Sequence, residues 1–229
     1  VEDRQRVVYN HAYGSATADW VLVVDVDEFV TGSQKLSDFF RSVDPRYGTV
    51  RFGPAEAIFS RNAAAMTEYG AENFRLPVSR MRSVILNHLL QPGLGHLFIR
   101  GVLGHSRGKH ALRANLPDAF INIHDTVTTL PALELNASAG KRPMFLVHFD
   151  AINFQHWCEK WNRRVKFADT KEMGRKRDKQ LDKYIAYKGR NKEHLLFEKL
   201  YGAGAFKLAV MKALGICVSR SALRTLPPD

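Results

Sequence analysis

The 229-residue sequence has little cysteine and no long apolar run. Cys158 and Cys217 lack the spacing of a metal-binding pair, which predicts a reducing compartment and no disulfide framework. No run of roughly eighteen apolar residues occurs, so hydropathy predicts no transmembrane helix. Internal repeats, low-complexity tracts and a signal-peptide pattern are also missing. These absences exclude disulfide-stapled secreted domains and repeat arrays, and they predict a globular protein of the cytoplasm.

The composition, 45% hydrophobic and 25% charged, is that of an ordinary globular protein, but the net charge of +11 is unevenly distributed. Residues 1–150 carry 16 Lys and Arg against 15 Asp and Glu, a net charge of +1. Residues 151–229 carry 18 against 8, a net charge of +10. This excess predicts a face for an anionic membrane surface, a phosphorylated ligand or nucleic acid, with a solvated helix surface as the alternative.

Hydrophobic periodicity predicts two regions, a domain over residues 1–150 and a basic helical C-terminal extension over 151–229. A first helix is expected over 4–18, with Val8, Ala12 and Ser15 on its packed side. Residues 61–96, rich in Gly and Pro, predict a long irregular segment with room for a short helix, and residues up to about 192 after the Trp-rich helix predict weak structure. Further elements are expected as follows: strands over 20–24, 49–59, 97–103, 108–114, 119–124 and 144–149, and helices over 35–42, 152–168, 193–201 and 205–214.

Residues 19–30 join an apolar run to three carboxylates, in the order Asp-Trp-Val-Leu-Val-Val-Asp-Val-Asp-Glu-Phe-Val. The run predicts a strand buried on both faces, as in a parallel sheet, and open α/β sheets bind ligands in the crevice where such strands end. On an extended chain Asp25 and Asp27 point the same way, and they repel each other unless a cation lies between them. A hard divalent metal, which prefers oxygen ligands, would remove that repulsion. The residues therefore predict a metal that holds a phosphate-bearing substrate.

Residues 19–30 also fit two other interpretations. Asp-x-Asp is common by chance, so a solvated acidic strand end stays open. Phosphatases and phosphotransferases of the haloacid dehalogenase type also place Asp-x-Asp after an apolar strand. Their pattern has Thr or Val two places after the second Asp, where this sequence has Phe29, and no lysine-bearing partner motif follows. That second interpretation is therefore disfavoured.

Basic and imidazole side chains form the other candidate groups. On a strand Lys109 and Arg113 share one face, which favours phosphate binding, although two surface cations on an edge strand give the same pattern. His148 ends an apolar run, and its imidazole is able to complete a metal sphere begun by carboxylates. His124 is placed similarly after residues 120–123. For both histidines a hydrogen-bonded structural role is the alternative.

The order of these blocks resembles the family-2-like glycosyltransferases related to glycosyltransferase family 92, which have a GT-A type fold. The likeness covers roughly residues 4–167, and the Asp-Val-Asp-Glu-Phe block is its most specific part. The matching blocks are Arg4-Gln5, Tyr9-Asn10-His11-Ala12, Trp20 to Phe29, Phe52-Gly53, Gly108-Lys109 with Arg113, His124, and Leu146-Val147-His148-Phe149 before a Trp- and Lys-rich helix. The resemblance implies an α/β fold, a GT-A-like mixed sheet flanked by helices. The N-terminal part that grips the nucleoside base in such folds is expected to lie outside residues 1–229.

The resemblance also implies a metal site. By that likeness Asp27 binds a divalent cation, manganese or magnesium, that bridges the diphosphate of a nucleotide-sugar donor. Asp25 contacts the metal or the ribose, and His148 is a third metal ligand.

Further roles follow from the same likeness. Lys109 and Arg113 neutralise the departing nucleoside diphosphate, and His124 is a further substrate-binding candidate. An inverting transferase needs a base for the acceptor hydroxyl, and Glu28 and Glu56 are the candidates. One departure concerns the stretch after Phe52-Gly53, which is made of small residues in the family and here includes Glu56.

The sequence thus predicts a hexosyltransferase-like enzyme that moves a sugar from a nucleotide-diphosphate donor to a glycan or lipid-linked acceptor, as in polysaccharide biosynthesis. The basic C-terminal third suggests peripheral contact with the inner face of the membrane. A nucleic-acid-binding protein is the first alternative, although no helix-turn-helix or aromatic-basic strand motif is found. An inactive transferase-like fragment is the second.

Overall fold

The computed structural model describes residues 2–60, 70–122, 125–127, 133–139, 143–167 and 174–224. The fold is mixed α/β, and its largest sheet in the described residues has nine strands, most of them paired antiparallel. Helices α1 to α8 are Glu2–Gly14, Leu36–Ser42, Arg80–Leu90, Phe154–Lys166, Arg175–Lys188, Glu193–Tyr201, Ala205–Ala213 and Arg220–Arg224, and a short 3₁₀ helix covers Gly95–Leu97. Strands β1 to β11 are Trp20–Leu22, Glu28–Gly32, Tyr47–Ser60, Asn73–Arg75, Lys109–Arg113, Phe120–Ile121, Thr126–Val127, Leu133–Asn136, Met144–His148, Gly202–Ala203 and Cys217–Ser219.

The chain divides into two units that differ from the expected 1–150 and 151–229. The first unit comprises Val1–Pro54, Arg107–Val147 and Ala222–Asp229. The second comprises Ala55–Ser106 and His148–Ser221. The C-terminal helices α4 to α7 therefore belong to the same unit as residues 55–106, which the sequence had placed in a separate domain.

In the first unit, β5 lies between β1 and β3 and is antiparallel to both. Strand β8 pairs with β3 in parallel. The central residues of β5 are apolar because Ala111 and Leu112 are covered on both sides, and both are fully buried. Helix α2 packs Phe39 and Phe40 against Phe52 of β3, with ring centroids 5.8 and 6.0 Å away. The buried core of this unit consists of Phe39, Val43, Val50, Phe52, Ala111, Ala137, Met144 and Leu146.

In the second unit, the end of β3 pairs antiparallel with β4, and β4 pairs with β11. The helices pack around Trp157 of α4, whose ring centroid lies 5.2 Å from Tyr184, 5.4 Å from Phe197 and 6.3 Å from Tyr201. Burial of side chains this large contributes roughly 1.5–3 kcal/mol each. A further cluster joins β3, β10, β11 and α7 through Ile58, Ala203, Met211, Ile216 and Cys217.

Several predicted elements are confirmed, and others are wrong. The helix expected over 35–42, the strand over 49–59 and the amphipathic helix after 152 are present. The strand expected over 97–103 is wrong, because this segment begins with the 3₁₀ helix and continues as an isolated bridge between Ile99 and Val102. The described part of the segment expected to be irregular contains α3, and the segment expected to be weakly structured contains α5.

The packed side of α1 is also different from the prediction. Val8 is exposed, and the contacts of the helix come from Asn10 and Tyr13 instead. The Asn10 side chain donates to the carbonyl of Ile121 at 2.9 Å and accepts from its N–H at 2.9 Å. The Tyr13 hydroxyl donates to the carbonyl of Arg113 at 2.8 Å. No helix within the described ranges has both the length and the apolar character needed to cross a bilayer.

Candidate functional site

The acidic segment of the first unit forms a tight turn between β1 and β2. The N–H of Glu28 donates to the carbonyl of Asp25 at 3.0 Å. The N–H of Asp25 donates to Oε2 of Glu28 at 2.9 Å, so the turn is closed from both ends. Val26 at its tip is 95% exposed, whereas Glu28 is buried and Asp27 is half-buried. We call residues 25–28 the acidic turn.

This geometry corrects two premises of the sequence argument. Strand β1 ends at Leu22, and Asp25 and Asp27 lie in a turn, so the alternation of an extended chain does not fix their directions. Strand β1 is also antiparallel to β5 and only half-buried, so the fully buried parallel strand was wrong. The carboxylates nevertheless follow the end of a sheet strand, as the apolar run predicted.

Lys109 provides the cation of the acidic turn. Its Nζ donates to Oδ2 of Asp25 at 3.0 Å and lies 3.7 Å from Oε2 of Glu28. The Lys109 side chain is 3% exposed, so its charge is largely removed from water and is balanced by these two carboxylates. The sequence predicted a phosphate-binding role for Lys109 without predicting this ion pair.

Gly108 determines the backbone conformation immediately before Lys109, where β5 begins. Its φ is +81°, a left-handed conformation that favours glycine. A Cβ added there would lie 1.9 Å from the carbonyl oxygen of Phe52 in the neighbouring strand. The Gly-Lys pair recognised in the sequence therefore has a backbone reason, because only glycine lets β5 begin this close to β3.

Tyr9 of α1 lies close enough to the acidic turn to feel its charges, a role that was not predicted from the sequence. Burial, and then the negative charges of Asp25 and Glu28, raise the pKa of the Tyr9 phenol against an opposing effect of Lys109. The phenol therefore stays protonated and is able to donate a hydrogen bond. The available signal was the spacing of Tyr9 and Tyr13, which places both on one face of a helix.

Arg113 has a different environment from Lys109. Its guanidinium carbon lies 4.4 Å from the ring centroid of Trp20, and its Nε donates to the carbonyl of Tyr47 at 3.2 Å. Arg113 is four positions after Lys109 on β5, a distance of about 13 Å along the strand. The structure therefore brings Lys109, but not Arg113, to the acidic turn.

Glu56 belongs to the second unit and is buried. Its carboxylate accepts from Nε of Arg75 at 2.6 Å, from the N–H of Leu103 at 3.0 Å and from the N–H of Gly104 at 2.6 Å. Arg75 also lies over the ring of Phe98, 4.8 Å from its centroid. Glu56 therefore forms a buried ion pair with Arg75, and its carboxylate holds β3, β4 and residues 103–104 together.

The two candidate histidines have separate outcomes. His148 lies in the second unit against Gly104, where an added Cβ would be 2.9 Å from its Nδ1 and 3.2 Å from Oε1 of Glu56. Its role as a third metal ligand stays a prediction. His124 lies outside the residues that the structure describes.

Asp150 is a buried acid of the second unit that the sequence analysis did not single out. It accepts from the Tyr201 hydroxyl and from Nζ of Lys160 at 3.1 Å, and Arg177 lies 3.6 Å away. Burial opposes its ionisation, but the positive charges of Lys160 and Arg177 outweigh burial and hold the pKa of Asp150 well below its ordinary value. The pKa of Tyr201 is raised by burial and by Asp150. The sequence signal that could have identified Asp150 was an acid two residues after the apolar strand β9.

The two cysteines are free, and neither has the environment of a nucleophile. Burial raises the pKa of the Cys158 thiol and of the Cys217 thiol. Both thiols therefore stay protonated at neutral pH, since the thiolate is the reactive form.

The donor chemistry of the acidic turn fits a hard divalent cation. Asp25 and Asp27 offer carboxylate oxygens, and magnesium sites commonly use one or two carboxylates with substrate phosphates and water. Within the described residues, no group of three or more His, Cys, Asp or Glu side chains is placed to hold a metal ion by itself.

Comparison with known proteins returned no relative. A scan against protein-family models, a search of curated proteins and a search of solved structures each gave no match to this chain.

Proposed function

We propose that this protein is a metal-dependent glycosyltransferase that moves a sugar from a nucleotide-diphosphate donor to a glycan or lipid-linked acceptor. The observation that carries the proposal is the arrangement of Lys109 at the acidic turn. A buried ammonium 3.0 Å from Asp25, beside the partly exposed Asp27, gives one small region both a phosphate-binding cation and cation-binding carboxylates. The motif order that resembles family-2-like glycosyltransferases supports the same assignment.

The reaction makes a specific electrostatic demand. The acceptor oxygen forms a bond to the anomeric carbon and its hydroxyl proton passes to solvent. The bond from that carbon to the phosphate oxygen of the donor breaks, and negative charge develops on the departing diphosphate. A fixed cation in a site shielded from water stabilises such charge effectively, and Lys109 is 3% exposed. When bound, manganese or magnesium at Asp25 and Asp27 would supply a second positive charge.

The other residues of the first unit have supporting roles in this proposal. Glu28 is a positioning residue, because its carboxylate fixes the N–H of Asp25. The Tyr9 phenol lies near the turn, where burial and then the charges of Asp25 and Glu28 raise its pKa, so it stays protonated. Arg113 stacks on Trp20 and is given no role in binding the diphosphate. The described contacts of the Glu56 carboxylate lie within the second unit. Glu56 is therefore not the base in this proposal.

The proposal is tested by calorimetric titration of UDP and GDP, and of the corresponding nucleotide sugars, with and without MnCl₂. Wild-type protein is expected to bind one of the two nucleotides only when the metal is present. Asp27→Asn is expected to weaken that binding at least tenfold, roughly the loss that follows even from removing a residue that only supports a metal ligand.

Asp19→Asn is the matched control, because Asp19 is an exposed carboxylate that precedes β1 by one residue. It is expected to bind like the wild type. Absence of metal-dependent nucleotide binding in the wild type, or equal weakening by both substitutions, would overturn the proposal.

A further inference from the structure

Helix α3 of the second unit exposes a row of large apolar side chains. Met81 is 85% exposed and Leu89 is 70% exposed, with Val84 and Ile85 between them also exposed. Their spacing of three, four and eight residues from Met81 places them on one face of the helix. Isolated exposed apolar residues are normal, but a contiguous row of four is typical of a docking surface.

The opposite face of α3 is held firmly. Leu86 and Leu90 pack against the buried cluster that contains Met211 and Ile216. The Ser79 side chain caps the first turn by accepting from the N–H of Arg82 at 3.4 Å. The exposed row is therefore presented by an anchored helix.

Helix α7 belongs to the same unit, and its Met211 lies in the buried cluster against which Leu86 and Leu90 of α3 pack. The Arg82 guanidinium donates to the carbonyl of Leu214, just after α7, at 3.0 Å. Phe206 on α7 is 84% exposed, and Leu214 is also exposed. We define the α3–α7 surface by its exposed apolar residues Met81, Val84, Ile85, Leu89, Phe206 and Leu214.

The charged residues on α3 and α7 are all basic. Residues 73–117 and 199–228, which include both helices, contain no Asp or Glu. Arg80, Arg82 and Lys212 are exposed on α3 and α7. The surface thus combines protruding apolar side chains with flanking cations, which is the pattern of helices that lie in the interface of an anionic bilayer.

We propose that the α3–α7 surface docks on an anionic lipid bilayer, with its apolar side chains among the lipid headgroups and its cations at the lipid phosphates. This inference is independent of the proposed transferase activity. Charge complementarity favours a bilayer over a second copy of the chain, because pairing this surface with itself would bring Arg80, Arg82 and Lys212 against like charges.

Vesicle flotation tests the apolar part of the proposal. Wild-type protein is expected to float with vesicles of roughly three parts phosphatidylcholine to one part phosphatidylglycerol, and at least tenfold less with pure phosphatidylcholine. The double variant Met81→Gln with Ile85→Gln is expected to lose about tenfold in affinity, because two apolar side chains that would be buried in the bilayer are replaced by polar ones. The control, Val7→Gln with Val8→Gln, changes two exposed valines on α1 and is expected to bind like wild type.

A charge reversal tests the electrostatic part. Arg80→Glu with Lys212→Glu is expected to abolish flotation at physiological salt. The control Lys35→Glu with Lys192→Glu changes the net charge equally at exposed positions outside the surface, and it is expected to lower binding less than about threefold. Circular dichroism confirms that each variant is folded, since all these side chains are exposed.

Three results would overturn the proposal. The first is no binding of the wild type to anionic vesicles. The second is equal loss in a surface variant and its control. The third is self-association of the wild type, measured by sedimentation, that Met81→Gln with Ile85→Gln removes while vesicle binding is absent, which would make this surface a contact between copies of the chain.

Discussion

Lys109 and Asp25 are joined by an ion pair of 3.0 Å across 84 residues of sequence. The charge of the acidic turn is therefore compensated only after β5 has paired beside β1. A lysine this deeply buried makes the turn a product of the tertiary fold, since the turn's own four residues include no cation.

Lys109→Met is expected to lower the free energy of unfolding by about 2–3 kcal/mol, because Glu28 and the partly exposed Asp25 lose their common cation. If a divalent cation binds the turn, millimolar MnCl₂ should raise the melting temperature of this variant more than that of the wild type, since the metal replaces the missing charge. Thermal unfolding with and without MnCl₂ measures both effects. An unchanged melting temperature in the absence of metal would contradict the energetic role of the pair.

Gly108→Ala is expected to destabilise the fold by more than about 3 kcal/mol. The added methyl group would meet the backbone carbonyl of Phe52 at 1.9 Å, and the residue has a φ of +81°. Gly14→Ala is the control, because Gly14 ends α1 with open space around it, and it should be neutral or stabilising by up to about 1 kcal/mol. Urea unfolding compares the two, and equal effects would exclude the clash as the cause.

Glu56→Gln is expected to cost about 3–5 kcal/mol, because it leaves the Arg75 charge buried without its partner. The control is Asp38→Asn, which breaks a solvent-exposed pair with Arg41 and should cost less than about 1 kcal/mol. Urea unfolding of both variants measures the difference. If Glu56→Gln cost as little as the control, the ion pair between Glu56 and Arg75 would contribute little to the free energy of unfolding.

Asp150 predicts a specific dependence of stability on pH. Its folded-state pKa lies well below the ordinary value of 3.8, so its contribution to the free energy of unfolding is complete above about pH 4 and is lost as the pH falls further. Asp150→Asn should therefore be destabilised relative to the wild type above about pH 4. The gap between variant and wild type should shrink below about pH 4. Urea unfolding at pH 7, 5, 4 and 3 checks this, and a gap that stays constant to pH 3 would contradict it.

The elements that sequence predicted well are those with one buried face. Helix α4 shows this, because Trp157 and Trp161 are buried while charged residues cover the other side. The sequence allowed a short helix within 61–96 but did not locate α3, for the opposite reason. Its apolar residues point both inward, at Leu86 and Leu90, and outward, so no 3.6-residue contrast marks it. Helix α5 was missed because it is charged nearly all round and buries only Gln180, Leu181 and Tyr184.

The candidate site was predictable in its composition but not in its geometry. The cluster of Asp25, Asp27 and Glu28 was visible as three acids after an apolar run. The turn that Glu28 closes depends on a side-chain contact to a backbone N–H, which no spacing rule specifies. Lys109 and Arg113 lie at opposite ends of β5, and the Arg113 guanidinium packs on the ring of Trp20, a contact that no spacing rule specifies.

The reciprocal hydrogen bonds between Asp25 and Glu28 affect the conformational entropy that ligand binding costs at the acidic turn. Fixing the backbone of a free residue costs about 1–2 kcal/mol in conformational entropy at room temperature. A four-residue loop that is disordered before it meets its ligand loses that amount for each residue at the moment of binding. Residues 25–28 lose it during folding, so a cation or phosphate that arrives there meets a backbone that is already ordered.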